Sequence, residues 1–276
     1  METNQLYHYC SNQSLISIVK SSSIRLCSLK LSNDSLEGKL ATKLLIDLAT
    51  EHKLPEEKIK LIEQAFLILD NFYDGFGFCL SEKPDLLSQW RGYADDGKGV
   101  CIGFSKSLLE SFEGTLLNKV EYAHNEHEKI ITPLFSEIFK LINDGHLNYP
   151  SRGGLLTTKS DDEFELETQR FQNANNQLMV HAFSLFPKLY SMKSDAFSEE
   201  KEWRIFKLME KEFDECDFFA RSDHIVPFTA LTLPSNCIEK IILGPKNRTP
   251  PDVLKNMLTA SGFTETEIHI SKNSYR

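Results

Sequence analysis

The sequence has no Cys-x-x-Cys pair among its six cysteines, Cys10, Cys27, Cys79, Cys101, Cys216 and Cys237. Zinc modules are built on closely spaced thiolates, so no metal site is expected. Several of these cysteines sit in apolar, strand-like runs, which reads as reduced thiols in a cytoplasmic protein. No signal-peptide pattern precedes the first apolar run, and no run approaches the roughly 18 apolar residues of a membrane span, so no membrane partner is expected. Positive charge is also scarce: 31 Lys and Arg face 40 Asp and Glu, a formal charge of −9. No global basic field draws this chain to nucleic acid, although a local basic cleft stays open because net charge says nothing about distribution. Neither a Walker pattern nor a Gly-x-Gly-x-x-Gly fingerprint occurs. There is no internal repeat and no low-complexity tract.

What remains is ordinary globular material, 276 residues with 41% apolar and 26% charged side chains, and 19 phenylalanines that point to an aromatic-rich core. Strand-like runs stand at QLYHYC, SIRLCSL, GFGFCLS, VCIGF, NKVEYA, KEWRIFKL, IEKIILGP and EIHISKNSYR. SLISIVKS has helical spacing, with Leu15, Ile16 and Val19 on one face and Ser11 or Ser14 as cap. Asn33 or Asp34, with Glu37, caps a helix from Leu36 to about His52. A second helix runs from Pro55 to about Tyr73 and pairs with the first as a hairpin. A helix starting at Pro84 carries Leu86, Leu87, Trp90 and Tyr93, and ADDGKG turns the chain after it. Residues from about 124 to 145 and about 161 to 190 read as helices, separated by the loop YPSRGGLL. PPDVLKNMLTASGF is a C-terminal helix stopped by Gly262. Strands and helices mix without a βαβ rhythm. The expected fold is therefore α+β, a single domain over 1–276, with mixed or antiparallel central sheets, a helical-hairpin insertion at about 36–73 and a helical segment at about 124–190.

Three clusters carry candidate chemistry. In Tyr7-His8-Tyr9 the tyrosines share one strand face and His8 takes the other. In QWRGYADDGKG, Trp90, Arg91 and Tyr93 resemble a ligand wall; the plainer alternative makes Trp90 a core anchor and pairs Arg91 with Asp95 or Asp96. In SEEKEWRIF, Glu200, Glu202 and Arg204 point the same way in a strand, while Trp203 faces the core and fixes Glu202 in place. A carboxylate held by a neighbouring Arg stays ionised. The alternative is an exposed, charged strand start.

With these clusters in view, the chain resembles, nearly end to end, the bacterial family called domain of unknown function 2971. The resemblance is carried by LYHYCS, CSLKLSNDSLE, FCLSEKPDLLSQWRGYADDGKGVCIGF, KEWRI and the closing ISKNSYR. The YHY and EWR strands also resemble two signatures of NAD-dependent ADP-ribosyltransferases. That resemblance implies an ADP-ribosyltransferase-like fold with NAD as substrate and no metal. It implies that His8 binds the adenosine-side ribose as a donor and that Glu202 is the catalytic residue on the nicotinamide-side ribose. Tyr9 and Tyr93 are candidates for stacking on nicotinamide, Arg25 for the pyrophosphate, and Arg91 or Tyr93 is expected to reach the cleft rim. Cys10 departs from the small hydroxyl residue common at its place. The implied role is a bacterial toxin or anti-phage defence effector, with the acceptor open among protein, nucleic acid and small molecule. Two other readings stand beside it: a non-catalytic NAD- or nucleotide-binding sensor of a defence system, with a partner protein, and a metal-dependent nuclease. Against the nuclease, the gap from Asp195 to the Glu199-Glu200-Lys201 step is too short.

Overall fold

Capping and alternation decide the first elements. The computed structural model describes residues 4–32, 38–154, 157–212, 216–221 and 223–275. Strand β1 (Gln5–Cys10) ends at Ser11, whose hydroxyl accepts from the Ser14 N–H and starts helix α1 (Asn12–Ser21). Leu15, Ile18 and Val19 form its buried face, with Ile18 in place of the expected Ile16. Ser22, in left-handed conformation at φ 45°, closes α1 and leads into β2 (Ser23–Ser28). The expected cap at Asn33 or Asp34, with Glu37, lies outside the described residues.

The chain continues through α2 (Leu40–Glu51), α3 (Glu56–Phe72), β3 (Tyr73–Ser81), α4 (Leu87–Tyr93), β4 (Val100–Ser105), α5 (Lys106–Glu110) and β5 (Leu116–Lys119). Then come α6 (His124–Asn143), the ribbon β6 (Gly153–Gly154) and β7 (Thr157–Thr158), α7 (Asp161–Leu189) and β8 (Glu202–Glu210). The chain closes with β9 (Asp217–Ala220), β10 (Ile225–Thr232), β11 (Ile238–Leu243), α8 (Pro251–Ala260) and β12 (Glu267–Ile270). Helix α4 starts later than expected, because Pro84 and Asp85 form a bend and Leu86 is extended, rather than a first turn. The strand expected at NKVEYA is shifted to Leu116–Lys119. Strands β9 and β10 had no sequence expectation.

Two compact units result. The first comprises Met1–Asn33, Gly75–Val120 and Ala196–Arg276. Ten described strands form its sheet, with a main path β12-β11-β4-β1-β3-β2-β10-β9, while β8 pairs with β3 and β5. Strands β11 and β12 run parallel, and β1, β4, β2, β3, β9, β10 and β11 pair antiparallel along the rest of that path. The fold is thus α+β with a mixed, mostly antiparallel open sheet. Leu6, Phe78, Ile102, Ile205 and Ile241 belong to one large apolar cluster on one sheet face. Tyr7, Tyr9, Trp90, Cys101 and Ile242 form a smaller cluster on the other face, under α4. Gly77 is needed where it stands, since a Cβ there would come within 2.9 Å of the Leu29 side chain.

The second unit comprises Asp34–Asp74 and Glu121–Asp195. It gathers the two segments expected to be helical: α3 packs on α7, and α6 packs on both α2 and α7. Ser160 and Glu163 form a reciprocal capping box at the start of α7. Lys58 is buried there and donates from Nζ to the Leu147 carbonyl.

The family-like stretch PDLLSQWRGY is held by the end of the chain. Asp85 accepts from the Trp90 indole N–H at 2.6 Å, the Ser271 hydroxyl at 2.6 Å, the Lys272 N–H at 2.9 Å and the Asn273 amide at 2.8 Å. Burial pushes the Asp85 carboxyl up, but these donors outweigh it and hold it below its ordinary value. Asp96 accepts from Lys246 Nζ and the Tyr275 hydroxyl. The strand expected at EIHISKNSYR therefore stops at Ile270, and the residues after it form a clasp on α4.

Candidate functional site

His8 lies near the centre of the sheet. Strand β1 is hydrogen-bonded to β4 along its length and meets β3 at Tyr7–Ser81. Alternation sends Leu6, His8 and Cys10 to the face of the large apolar cluster and Tyr7 and Tyr9 to the other. The imidazole lies on the Phe78 ring, with centroids 4.0 Å apart and planes inclined at 30°. Its Nδ1 is 2.8 Å from the Cys79 carbonyl oxygen. A carbonyl only accepts, so Nδ1 carries the proton. Burial in these apolar surroundings lowers the His8 pKa to about 4, against a smaller upward pull from the carbonyl contact. At neutral pH His8 is an uncharged imidazole with the Nε2 lone pair as its acceptor. Among the described residues Nε2 has no partner. The donor expected of His8 toward a ligand is, on the Nδ1 side, already given to the Cys79 carbonyl.

Glu202 is positioned by the end of β3. The Ser81 hydroxyl donates to the Glu200 carbonyl at 2.6 Å, and the Glu82 N–H donates to the Lys201 carbonyl at 2.9 Å. Lys201 takes a left-handed φ of 47°, and β8 begins at the next residue. The Glu202 carbonyl then accepts from the Val120 N–H. Its carboxylate is held from both sides of the fork, by Arg204 Nε at 2.7 Å and Arg204 NH2 at 2.9 Å. Glu202 is 5% exposed and Arg204 1%.

The expected orientation of this strand is kept, with Trp203 toward the core, but its charged side is buried as well. Trp203 and Ile205 pack with the large apolar cluster, but Trp203 is half-buried, with its indole N–H on Glu82 Oε1 at 2.9 Å and Lys106 Nζ 4.4 Å over the ring. The other side carries the ion pair and then Phe206, and it is buried too, as is Ile205. A bidentate pair neutralises its own charges and pairs both carboxylate oxygens with donors, so burial is tolerated. Because His8 projects with Phe78 toward the cluster and Glu202 projects away from Ile205, the two leave opposite faces of the strands that border β3. They make no hydrogen bond or ion pair with each other.

The other expected site residues are scattered. Tyr9 is 4% exposed, packs edge-on against Trp90 at 5.0 Å, and uses its hydroxyl twice, donating to the Lys83 carbonyl and accepting from the Leu86 N–H. Burial raises its pKa. It is a core residue with both ends committed. Tyr93 is exposed, and its hydroxyl donates to Glu200 Oε1 at 2.9 Å. Arg91 is exposed, 6.0 Å from the Tyr275 ring centre, and the expected pairing with Asp95 or Asp96 gives way to Lys246 on Asp96. Trp90 is fully buried, as its helical spacing required. Arg25 stands on β2, on the sheet face away from the large cluster, and stacks on Phe228 and Phe219. Phe78 and the Cys79 carbonyl, which set the state of His8, had no sequence expectation. The alternating phenylalanines of GFGFC are the one signal that would have found them.

Among the described residues no group of three or more His, Cys, Asp or Glu side chains is placed to hold a metal ion. No described helix is long and apolar enough to cross a membrane. No curated protein and no solved structure matches the chain. Residues 89–205, from α4 into the strand of Glu202 and Arg204, match the model of the family described as Protein of unknown function (DUF2971), and that match supports this family for the chain.

Proposed function

We propose that this chain is an ADP-ribosyltransferase-like protein that binds NAD, with His8 accepting a hydroxyl of the adenosine-side ribose. The observation that carries the reading is the state of His8. Its Nδ1–H is spent on the Cys79 carbonyl, its ring is neutral on Phe78, and Nε2 is left as a fixed acceptor. A ribose hydroxyl is the kind of donor such a nitrogen receives, and a preoriented acceptor loses little on binding. Tyr93 is the exposed ring of the two stacking candidates.

Binding without turnover is the form this geometry favours, as in a sensor module. Cleaving the nicotinamide–ribose bond builds positive charge on the sugar, and a carboxylate placed on the ribose stabilises it. Glu202 has both oxygens on Arg204 and sits on the strand face opposite His8. The second reading is the transferase itself, with Glu202 as the catalytic residue. It is favoured by the same pair in another respect, since the Arg204 guanidinium holds a negative charge ready. Turnover would then require Arg204 to yield one oxygen to the substrate.

Incubation with NAD labelled on the adenosine side, followed for nicotinamide release and label transfer, separates the two. Saturable NAD binding without release supports the binding form. Release that falls on the order of 10²–10³-fold in Glu202→Gln, with NAD affinity kept, supports the transferase. No NAD binding by the parent protein contradicts both.

A further inference from the structure

Far from His8 along the sheet, two arginines share one aromatic ring. Arg25 on β2 lies with its guanidinium carbon 4.5 Å from the Phe228 ring centre and 5.1 Å from that of Phe219. Arg221, just after β9, lies 5.9 Å from the same Phe219 ring. The two rings meet edge to face at 5.7 Å, so Arg25 sits in the notch between them. Register explains the cluster. Cys27 and Asp217 both oppose Phe228, Phe219 opposes Val226, and Arg25 opposes Ala230, all on the sheet face away from the large apolar core. Ala230, directly opposite Arg25, is exposed and short, and Arg25 itself is exposed beside the Phe228 ring of the same strand.

This positive spot is unusual in an acidic chain. Arg221 gives one N–H to the Leu31 carbonyl at 3.2 Å, and Arg25 gives none. Neither has a carboxylate partner among the described residues. Among the described residues, the acids nearest in the chain are Asp217, at the start of β9, and Asp223, which lies against His224. Both guanidinium groups also pull down on the Cys27 thiol, which burial raises, so they act on one place. An arginine left without an acid, oriented by a ring and exposed, keeps its planar donor fork for an anion. Its flat face, beside a half-buried Phe219, also offers a stacking platform for a base.

We infer that Arg25, Arg221 and Phe219 form a binding site for a nucleotide, in which the guanidinium groups take the phosphate and the aromatic–guanidinium stack takes the base. The ligand is either a free mononucleotide or a nucleotide within a single strand; the chemistry is shared. The site is separate from His8 and does not depend on the NAD reading. It also reassigns Arg25, which sequence resemblance connected to the pyrophosphate of NAD.

The test titrates 5′-AMP and a short oligothymidylate into the full chain by calorimetry, at low and raised salt, with inorganic phosphate as competitor. Arg25→Gln and Arg221→Gln should each weaken binding at least about tenfold, as loss of a charge-assisted contact does. Their melting temperatures should stay at the parent value, because both residues are exposed. Binding of AMP assigns a free nucleotide; binding of the oligonucleotide alone, with a steep salt dependence, assigns a strand. Absence of binding by the parent protein at millimolar ligand, or the parent's affinity retained in both arginine variants, would overturn the proposal.

Discussion

Arg204 holds both carboxylate oxygens of Glu202, two positions back on the same face of β8, inside a region where the two residues are 1% and 5% exposed. Breaking such a pair from one side leaves a buried charge without its counterion. Arg204→Met should therefore destabilise the protein by roughly 3–5 kcal/mol. The double variant Glu202→Gln, Arg204→Met should recover part of that loss. Urea unfolding of the three proteins decides it, and an Arg204→Met midpoint equal to the parent's would show that the pair is not an energetic unit.

His8 makes stability depend on pH. In the folded protein it titrates at about 4, and in the unfolded chain near its ordinary 6.5. Between those values the unfolded chain binds a proton that the folded chain refuses, so stability falls as pH drops from 6.5 toward 4. With the ring partly exposed, the loss amounts to about 2 kcal/mol. His8→Gln should remove this component. Unfolding free energies of parent and variant at pH 7 and pH 4.5 should differ by a pH-dependent gap, and parallel behaviour would refute the neutral, buried imidazole.

The clasp between Asp85 and Trp90 joins the middle of the chain to its last described residues. Trp90→Ala should cost roughly 3–5 kcal/mol, as loss of a fully buried indole does. Asp85→Ala should cost about 2 kcal/mol, because it leaves the indole N–H and the tail donors without an acceptor. It should also expose the segment after Ile270 to faster amide exchange. Exchange unchanged over residues 271–275 in Asp85→Ala would remove Asp85 from the role of clasp.

Much of this fold was legible because local signals agreed. Ser11 before an apolar helix face, Glu56 and Glu57 in the first turn of α3, and the apolar run of β4 each point to one structure. Other parts were hidden for stateable reasons. In EWRIF both alternating faces carry a large apolar residue, Trp203 and Ile205 on one and Phe206 on the other. Periodicity therefore does not show that both sides are buried, and a bidentate ion pair lets the charged side be so. Strand β10 was obscured by Pro227, which stands where β10 pairs with β9 and just before its register with β2 begins at Phe228. The tail ISKNS looks like more strand, and only partners 185 or more residues away, as in Ser271 to Asp85, make it a clasp. The state of His8 rests on a backbone carbonyl, which no side-chain pattern encodes.

NAD titration of the parent protein and His8→Ala by calorimetry tests the central claim most directly, with melting temperatures recorded for both. If Nε2 of His8 accepts a ribose hydroxyl, the parent binds NAD and His8→Ala binds it at least about tenfold more weakly, since one buried polar contact is lost. A parent that binds no NAD, or a folded His8→Ala protein with unchanged affinity, contradicts the account and returns His8 to a packed residue on Phe78.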